Sequence, residues 1–164
     1  MGLQLPGELI SLLSMLGYTW PEADETKLLS MGGAWLGFAG AHGGPLGEAD
    51  GNAQRIMQAN RGDDIEAFRA EWTKEDSPKS NLEDLGTAAT IIGAGLMVCG
   101  AIVLALKINV IIQLTILAIQ IAQAIATAAV TFGASLLEIP IFKELAGIAI
   151  DLLIDMALQA IFNG

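Results

Sequence analysis

Few residues of this chain could carry out chemistry. The 164 residues include one cysteine, Cys99, and one histidine, His42. A single cysteine excludes an intramolecular disulfide and a cysteine-rich zinc site, and a single histidine argues against paired-histidine metal chemistry. Cys99 lies among apolar residues, which predicts a buried and inert thiol. His42 lies in a glycine-rich stretch, which predicts an exposed loop side chain.

Carboxylates and glycines occur in short clusters, but their spacing does not match a known site. The acidic run at 63–66 is interpreted as charge that favours the amino-terminus of a helix. It lacks the alternating Asp/Asn pattern of a calcium loop. The glycines around 93–100 miss the dinucleotide spacing, because Val98 stands where the third glycine is needed. We therefore expect no enzyme activity, no bound metal and no cofactor.

Charge is distributed unevenly along the chain. The 18 acidic and 8 basic side chains give a net charge of −10, which argues against a nucleic-acid partner because phosphates must be neutralised by basic groups. Lys107 is the only charged side chain between Leu85 and Leu137. The polar segment 73–81 just before this run contains Pro78, which predicts a linker. We therefore expect two domains, 1–79 and 80–164.

The first half has the pattern of short amphipathic helices. Apolar residues between Leu9 and Leu16 recur at helical spacing, and Gly17 predicts the end of this helix. A capping-box pair around Pro21 predicts the start of a second helix. The glycines and proline at 40–45 predict its end. Together with the absence of strand-like alternation, these signals predict an all-α protein.

The second half contains two long uncharged runs. They cover 85–106 and 108–137, and each is longer than the ~20 residues that span a bilayer. A capping box at Ser80 predicts a helix from about Leu82, and Pro140 predicts an end or a kink after the second run. The flanks lack the basic residues and the aromatic belt of a typical membrane span. Packed helices in a bundle or oligomer and insertion into a membrane both stay open.

Amide and hydroxyl side chains form a stripe along the second run. At 100° per residue its members lie on one side of a helix, and buried groups of this kind need hydrogen-bond partners. Stripes that face each other in an oligomer, or a water-filled pore, would supply those partners. The stripe consists of Asn109, Gln113, Gln120, Gln123, Thr127 and Thr131.

Trp35-Leu36-Gly37 forms a Trp-x-Gly tripeptide, predicted near the end of one helix and before a second. This pattern resembles the WXG family of small helical hairpins exported by type VII secretion. Residues 5–40 resemble the WXG-like amino-terminal domain of actinobacterial polymorphic toxins, a family that includes the channel-like domain of the mycobacterial necrotising toxin. Residues 105–140 are similar to the region that follows in such toxins. From the residues alone, Trp35 is also interpreted as a core anchor at the hairpin turn.

The resemblance implies a route of export and a class of partner. WXG proteins often carry a Tyr-x-x-x-Asp/Glu signal after the second helix, and here Trp72 and Asp76 occupy the corresponding positions, with tryptophan in place of tyrosine. The first basic residue is Lys27, which predicts that no cleavable signal peptide is present. We expect a protein that is cytoplasmic before export and then secreted or held in the cell envelope. The expected partners are a second copy, a WXG-family protein or an export chaperone.

Two functional hypotheses follow. In the first, the chain is the non-catalytic trafficking and assembly domain of a type VII secreted toxin or effector, which presents the WXG hairpin and associates through its apolar helices. In the second, it forms a pore or crosses a membrane by inserting residues 85–137 into a bilayer. The apolar surface is too extensive for one small monomer to cover, so we expect an associating partner or a lipid surface in either case.

Overall fold

The computed structural model describes residues 2–163 and contains helices but no strand in that range. The predicted all-α fold class is confirmed. Five α-helices and a 3₁₀ turn, Ala134–Glu138, follow each other along the chain. The α-helices are α1 Gly7–Met15, α2 Glu25–Ala59, α3 Asp63–Trp72, α4 Pro78–Thr127 and α5 Ile139–Asn163.

The end of α1 follows the sequence signal. Gly17 adopts a φ of 87°, a conformation that glycine reaches without the steric cost of a Cβ atom. The Tyr18 N–H donates to the Leu13 carbonyl and the Gly17 N–H donates to the Ser14 carbonyl. This pair of bonds closes the helix as a Schellman motif.

The bounds of α2 differ from the prediction at both ends. The helix begins at Glu25 and not at Pro21, and Asp24 caps it by accepting the Lys27 N–H at 3.0 Å. It then continues through the glycines at 40–44 and through Pro45 to Ala59. The predicted end at 40–45 is wrong, because a local propensity cost of ~1 kcal/mol per glycine is offset where the helix packs against other elements.

The start of α4 also corrects the sequence analysis. Ser77 is buried, and its Oγ accepts the Ser80 N–H at 3.1 Å, so Ser77 caps the helix and Pro78 takes the first helical position, where its missing N–H costs nothing. The predicted linker at 73–81 is therefore a short turn followed by the first turn of α4. The capping box at Ser80 does not mark the start.

The two uncharged runs are not two helices separated at Lys107. Helix α4 passes through Lys107 and ends at Thr127, and the chain turns over residues 128–133, where Phe132 and Gly133 have φ values of 53° and 86°. The 3₁₀ turn and α5 follow, with Pro140 as the second residue of α5. Pro140 thus lies in a first helical turn, which tolerates proline, and it does not end the preceding run.

The described chain packs as two compact units. The first comprises the described residues up to Lys27 and those from Cys99 onward, and the second is Leu28–Val98. The first unit has an apolar core of Leu5, Leu13, Val110, Leu114 and Ile150. The boundary predicted between residues 79 and 80 lies inside the second unit. As a statement about domains that fold on their own, the division into 1–79 and 80–164 stays a prediction.

Candidate partner-binding site

The Trp-x-Gly tripeptide lies in the first half of α2, at least ten residues from either end of that helix. The expectation that it stands near a helix end, with Trp35 at a hairpin turn, is therefore wrong. Trp35 is half-buried and meets Phe38 edge to face, with ring centroids 6.3 Å apart. Residues three apart on a helix are neighbours on its surface, so the two rings form one aromatic face of α2.

This aromatic face forms one wall of an open apolar groove in the second unit. The groove has a volume of about 430 Å³ and is lined by Met31, Ala34, Trp35 and Phe38 of α2 and by Leu85 of α4. Met31, Phe38 and Leu85 are exposed. Large apolar side chains around an open concave surface are typical of a binding site.

His42 extends the aromatic face by one more turn. Its ring stacks on Phe38 at a centroid distance of 5.5 Å, and its Nε2 lies 2.6 Å from the Leu82 carbonyl oxygen of α4. Because a carbonyl only accepts, Nε2 donates in this contact. The prediction of an exposed loop side chain is wrong, since His42 is a half-buried helical residue that joins α2 to α4.

Gly37 does not bring another backbone segment of the chain close to α2. A Cβ atom built on Gly37 would have no other atom within 4 Å, whereas a Cβ on Gly32 would lie 2.8 Å from the Gly93 carbonyl oxygen. The close contact between α2 and α4 therefore depends on Gly32 and Gly93. Gly37 is exposed, and the space next to it is open in this chain.

Trp72 is held inside the second unit by a hydrogen bond. Its Nε1 donates to Asp50 Oδ1 at 2.9 Å, and Lys79 Nζ lies 3.3 Å from the same oxygen. The Trp72 hydrogen bond, followed by Lys79, lowers the pKa of Asp50 below its usual range. Phe68 stacks on Trp72 at 5.8 Å. This cluster anchors α3 to α2 and to the start of α4.

Asp76 is exposed, and its backbone carbonyl accepts the Asn81 side-chain amide at 3.2 Å. The structure does not bring the pair Trp35 and Gly37 close to the pair Trp72 and Asp76. Asp50, the partner of Trp72, lies fifteen positions beyond Trp35 on α2, which corresponds to roughly 22 Å along the axis. An export role for Trp35, Gly37, Trp72 and Asp76 stays a prediction.

The polar stripe is only partly buried within the chain. Gln113 and Gln120 are half-buried. The exposed members of the stripe are Asn109, Gln123, Thr127 and Thr131.

Several of these polar groups bond to their own helix. Asn109 donates to the Ala105 carbonyl at 2.9 Å, and Thr127 donates to the Gln123 carbonyl at 2.9 Å. Thr131 lies beyond the end of α4, which corrects its assignment to that helix. The role of the stripe in association or in a pore stays a prediction.

A buried ion pair was not foreseen from the sequence. Lys107 Nζ lies 2.9 Å from Glu25 Oε2 and donates to the Ala23 carbonyl at 2.6 Å, and both side chains are almost fully buried. Glu25 also accepts the Leu3 N–H, and Lys107 lies 5.7 Å from the centre of the Trp20 ring. A lone lysine in an uncharged run indicates a buried acidic partner elsewhere in the chain.

The same pair perturbs the acid–base behaviour of Glu25. The hydrogen bond from Lys107, and then the one from the Leu3 N–H, lowers the pKa of Glu25 to about 2. Glu25 is therefore charged over the whole physiological range. The pair fixes the amino-terminal segment to the middle of α4, which makes it a structural link within the first unit.

Tyr18 makes a second polar link in the first unit. Its hydroxyl donates to Asp151 Oδ1 at 2.6 Å and lies 3.1 Å from the Gly147 carbonyl oxygen. The hydrogen bond to Asp151, followed by burial, raises the pKa of Tyr18 to about 12. In residues 2–163, no group of three or more His, Cys, Asp or Glu side chains could hold a metal ion.

Within residues 2–163, two stretches are long and apolar enough to cross a membrane by length and composition. They are Pro78–Thr127 and Ala134–Asn163, and an 18-residue window in each has a mean hydropathy of 2.4 and 1.9, respectively. A core helix of a soluble protein can be equally long and apolar, but it is mostly buried. Here 17% of each apolar window is buried, so most of this apolar surface is not covered within the chain.

Comparison with known proteins agrees with the helical architecture. Searches of curated proteins and of solved structures give no match. The family described as WXG100 like domain matches residues 4–147, a range that includes the whole of α1 to α4 and the aromatic groove. WXG100-like domains are helical and are associated with type VII secretion. The chain belongs to the family of WXG100-like domains.

Proposed function

We propose that this chain is a non-catalytic trafficking and assembly domain of a type VII secreted toxin or effector. The observation that carries the proposal is the open apolar groove around Trp35 in a chain of the WXG100-like family. An α-helix of a partner needs an apolar groove for its own apolar face and a small residue where the two backbones meet. The groove at Trp35 offers the first, and Gly37, on another side of α2, has the open space for the second.

The partner in this proposal is a helical hairpin, which belongs either to a second copy of this chain or to another WXG-family protein. An export chaperone is the other expected partner. The chain is cytoplasmic before export and reaches the envelope or the medium by the type VII route. Trp72 and Asp76 provide the export segment, since Asp76 is exposed just after α3. No cofactor and no nucleic acid take part.

The test of the partner-binding face uses two glycines of the same helix. Gly37→Gln fills the open space next to Gly37, and Gly47→Gln is the matched control because a Cβ there also meets no atom within 4 Å. Both variants should fold as the parent does, measured by circular dichroism and urea unfolding. Secretion from an actinobacterial host with a working type VII system should fall at least tenfold for Gly37→Gln alone. Equal secretion of the two variants would remove this role from α2.

The export segment is tested separately. Asp76→Asn should reduce secretion without changing stability, because its carboxylate is exposed and its backbone carbonyl keeps the contact with Asn81. Glu75→Gln is the matched control, since it removes an exposed charge one residue earlier. If Asp76→Asn and Glu75→Gln are exported to the same extent, the segment with Trp72 and Asp76 has no export role.

A second candidate function is membrane insertion or pore formation through residues 85–137. The observation that favours it is the low burial of both membrane-length stretches. Flotation with liposomes, together with release of a trapped dye, tests it directly. A protein that never floats and releases no dye, before and after a brief exposure to low pH or detergent, would exclude this candidate.

A further inference from the structure

The turn between α4 and α5 has an exposed apolar tip. Phe132 is 100% exposed, Val130 is 81% exposed and Leu137 is 77% exposed. These residues belong to the first unit and lie in the segment between two helices, α4 and α5. In water such side chains increase the free energy of the folded chain without contributing to its core.

Several backbone N–H groups of this turn find partners in the turn or at the end of α4. The Thr131 N–H donates to the Thr127 carbonyl, the Gly133 N–H to the Ala128 carbonyl and the Ala134 N–H to the Thr131 carbonyl. The buried Ser135 hydroxyl donates to the Ala124 carbonyl at 2.7 Å. A backbone turn can enter hydrocarbon only if its N–H and C=O groups find partners without water. The bonded N–H groups of this turn meet that requirement.

Charge around the tip favours one kind of surface. No charged residue occurs between Lys107 and Glu138, so the tip carries no charge into an apolar phase. The first charges beyond it are Glu138, Lys143 and Glu144, and the whole chain has a net charge of −10. Anionic lipids would repel such a chain, whereas a zwitterionic lipid surface would not.

We propose that the α4–α5 turn is a lipid-penetrating tip, which inserts Phe132, Val130 and Leu137 into a zwitterionic bilayer. The inference rests on the membrane candidate above and deepens it by naming the point of entry. The exposure of the site supports lipid as the occupant, because a fully exposed aromatic side chain between two largely uncovered membrane-length stretches fits a fluid surface. A protein partner would more commonly offer the chain a convex helix for the concave groove at Trp35.

The test is flotation of the full chain with phosphatidylcholine vesicles. Phe132→Asn is the informative variant, because asparagine tolerates the positive φ of this position better than most residues. Phe162→Asn is the matched control: Phe162 is 80% exposed and lies near the other end of α5, roughly 34 Å from its start. Phe132→Asn should lower the vesicle partition coefficient by roughly tenfold or more, whereas Phe162→Asn and Phe132→Trp should bind as the parent does.

Three results would overturn the tip proposal. The first is a parent chain that does not float, and the second is an equal loss for the two asparagine variants. The third is a change of mass on Phe132→Asn in light scattering without lipid, which would make a second copy the occupant. Folding of each variant is checked by circular dichroism. If the parent floats and releases dye but Phe132→Asn does so equally, the tip proposal fails and the membrane candidate stands. Secretion of Phe132→Asn is measured separately, because it reports on export of the chain and not on lipid binding by the tip.

Discussion

At the scale of single residues, the pair Glu25–Lys107 is the most consequential contact. Both groups are buried, and removing one charged partner leaves the other without compensation. Lys107→Met should therefore lower the free energy of unfolding by about 3–5 kcal/mol. Lys74→Met is the control, because Lys74 pairs with Glu71 on the surface, where such a pair contributes little to stability. Urea unfolding followed by circular dichroism measures both, and equal losses would contradict the buried character of the Glu25 pair.

The pH dependence of stability tests the same pair. The pKa of Glu25 is about 2 in the folded chain and close to the ordinary ~4.3 when unfolded. Because the folded pKa is depressed, the contribution of Glu25 is present above the unfolded pKa and is lost as pH falls towards 2. The free energy of unfolding should thus decrease between about pH 5 and pH 2 more steeply in the parent than in Glu25→Gln. Parallel curves would argue that Glu25 is not held by Lys107.

Tyr18 allows a direct spectroscopic measurement, since it is the single tyrosine of the chain. Its ultraviolet titration should give a pKa of about 12. Asp151→Asn should shift it towards the ordinary ~10, whereas Asp155→Asn, which changes an exposed carboxylate on the same helix, should not. A raised folded pKa means that the contribution of Tyr18 is full below pH 10 and is lost as pH rises through 12. The parent should accordingly lose stability over that interval relative to Tyr18→Phe.

At the scale of elements, the contact between α2 and α4 in the second unit depends on two glycines that face each other. A Cβ atom on Gly93 would lie 2.9 Å from Leu36 Cγ and 3.0 Å from the Gly32 carbonyl oxygen. Gly93→Ala should therefore destabilise the chain by roughly 1–3 kcal/mol through overpacking. Gly95→Ala, two residues later with open space around it, should gain up to about 1 kcal/mol of helix propensity. The sign difference in urea unfolding checks the contact, and a gain in both variants would contradict it.

The element boundaries show what the sequence could predict. The apolar repeat of α1 and the glycine that ends it are local signals, and both were correct. The end predicted for α2 at 40–45 was wrong because the stabilising contacts come from distant residues, such as the Leu82 carbonyl that His42 meets forty positions away. Local propensity cannot include such contacts.

The candidate site was predictable only in part, for the same reason. Trp35 was recognised from its spacing to Gly37, but its groove also requires Leu85 of α4. Lys107 was conspicuous as a lone charge, yet the sequence offers many acidic partners, and Glu25 lies 82 positions away. Pairings across such separations follow from the fold and not from a local pattern.

At the scale of the whole molecule, uncovered apolar surface is the dominant feature. On α5, exposed apolar side chains recur at three- and four-residue spacing, which forms one continuous face. They are Ile141, Leu145, Ile148, Leu152 and Met156. A face of this extent is larger than the scattered apolar residues of an ordinary monomer surface, and it marks a site of association.

This face leads to a prediction about mass in solution. Without detergent, light scattering should give a multiple of the 17.1 kDa chain mass, because association removes the α5 face from water. Leu145→Gln combined with Leu152→Gln should shift the mass towards one chain, since both side chains lie on that face. Ile10→Gln combined with Met15→Gln is the matched control, because it changes two exposed apolar residues of α1. A parent chain that stays monomeric and soluble would show that the α5 face can stay exposed to water. The case for an associating partner would then depend on the groove at Trp35 alone.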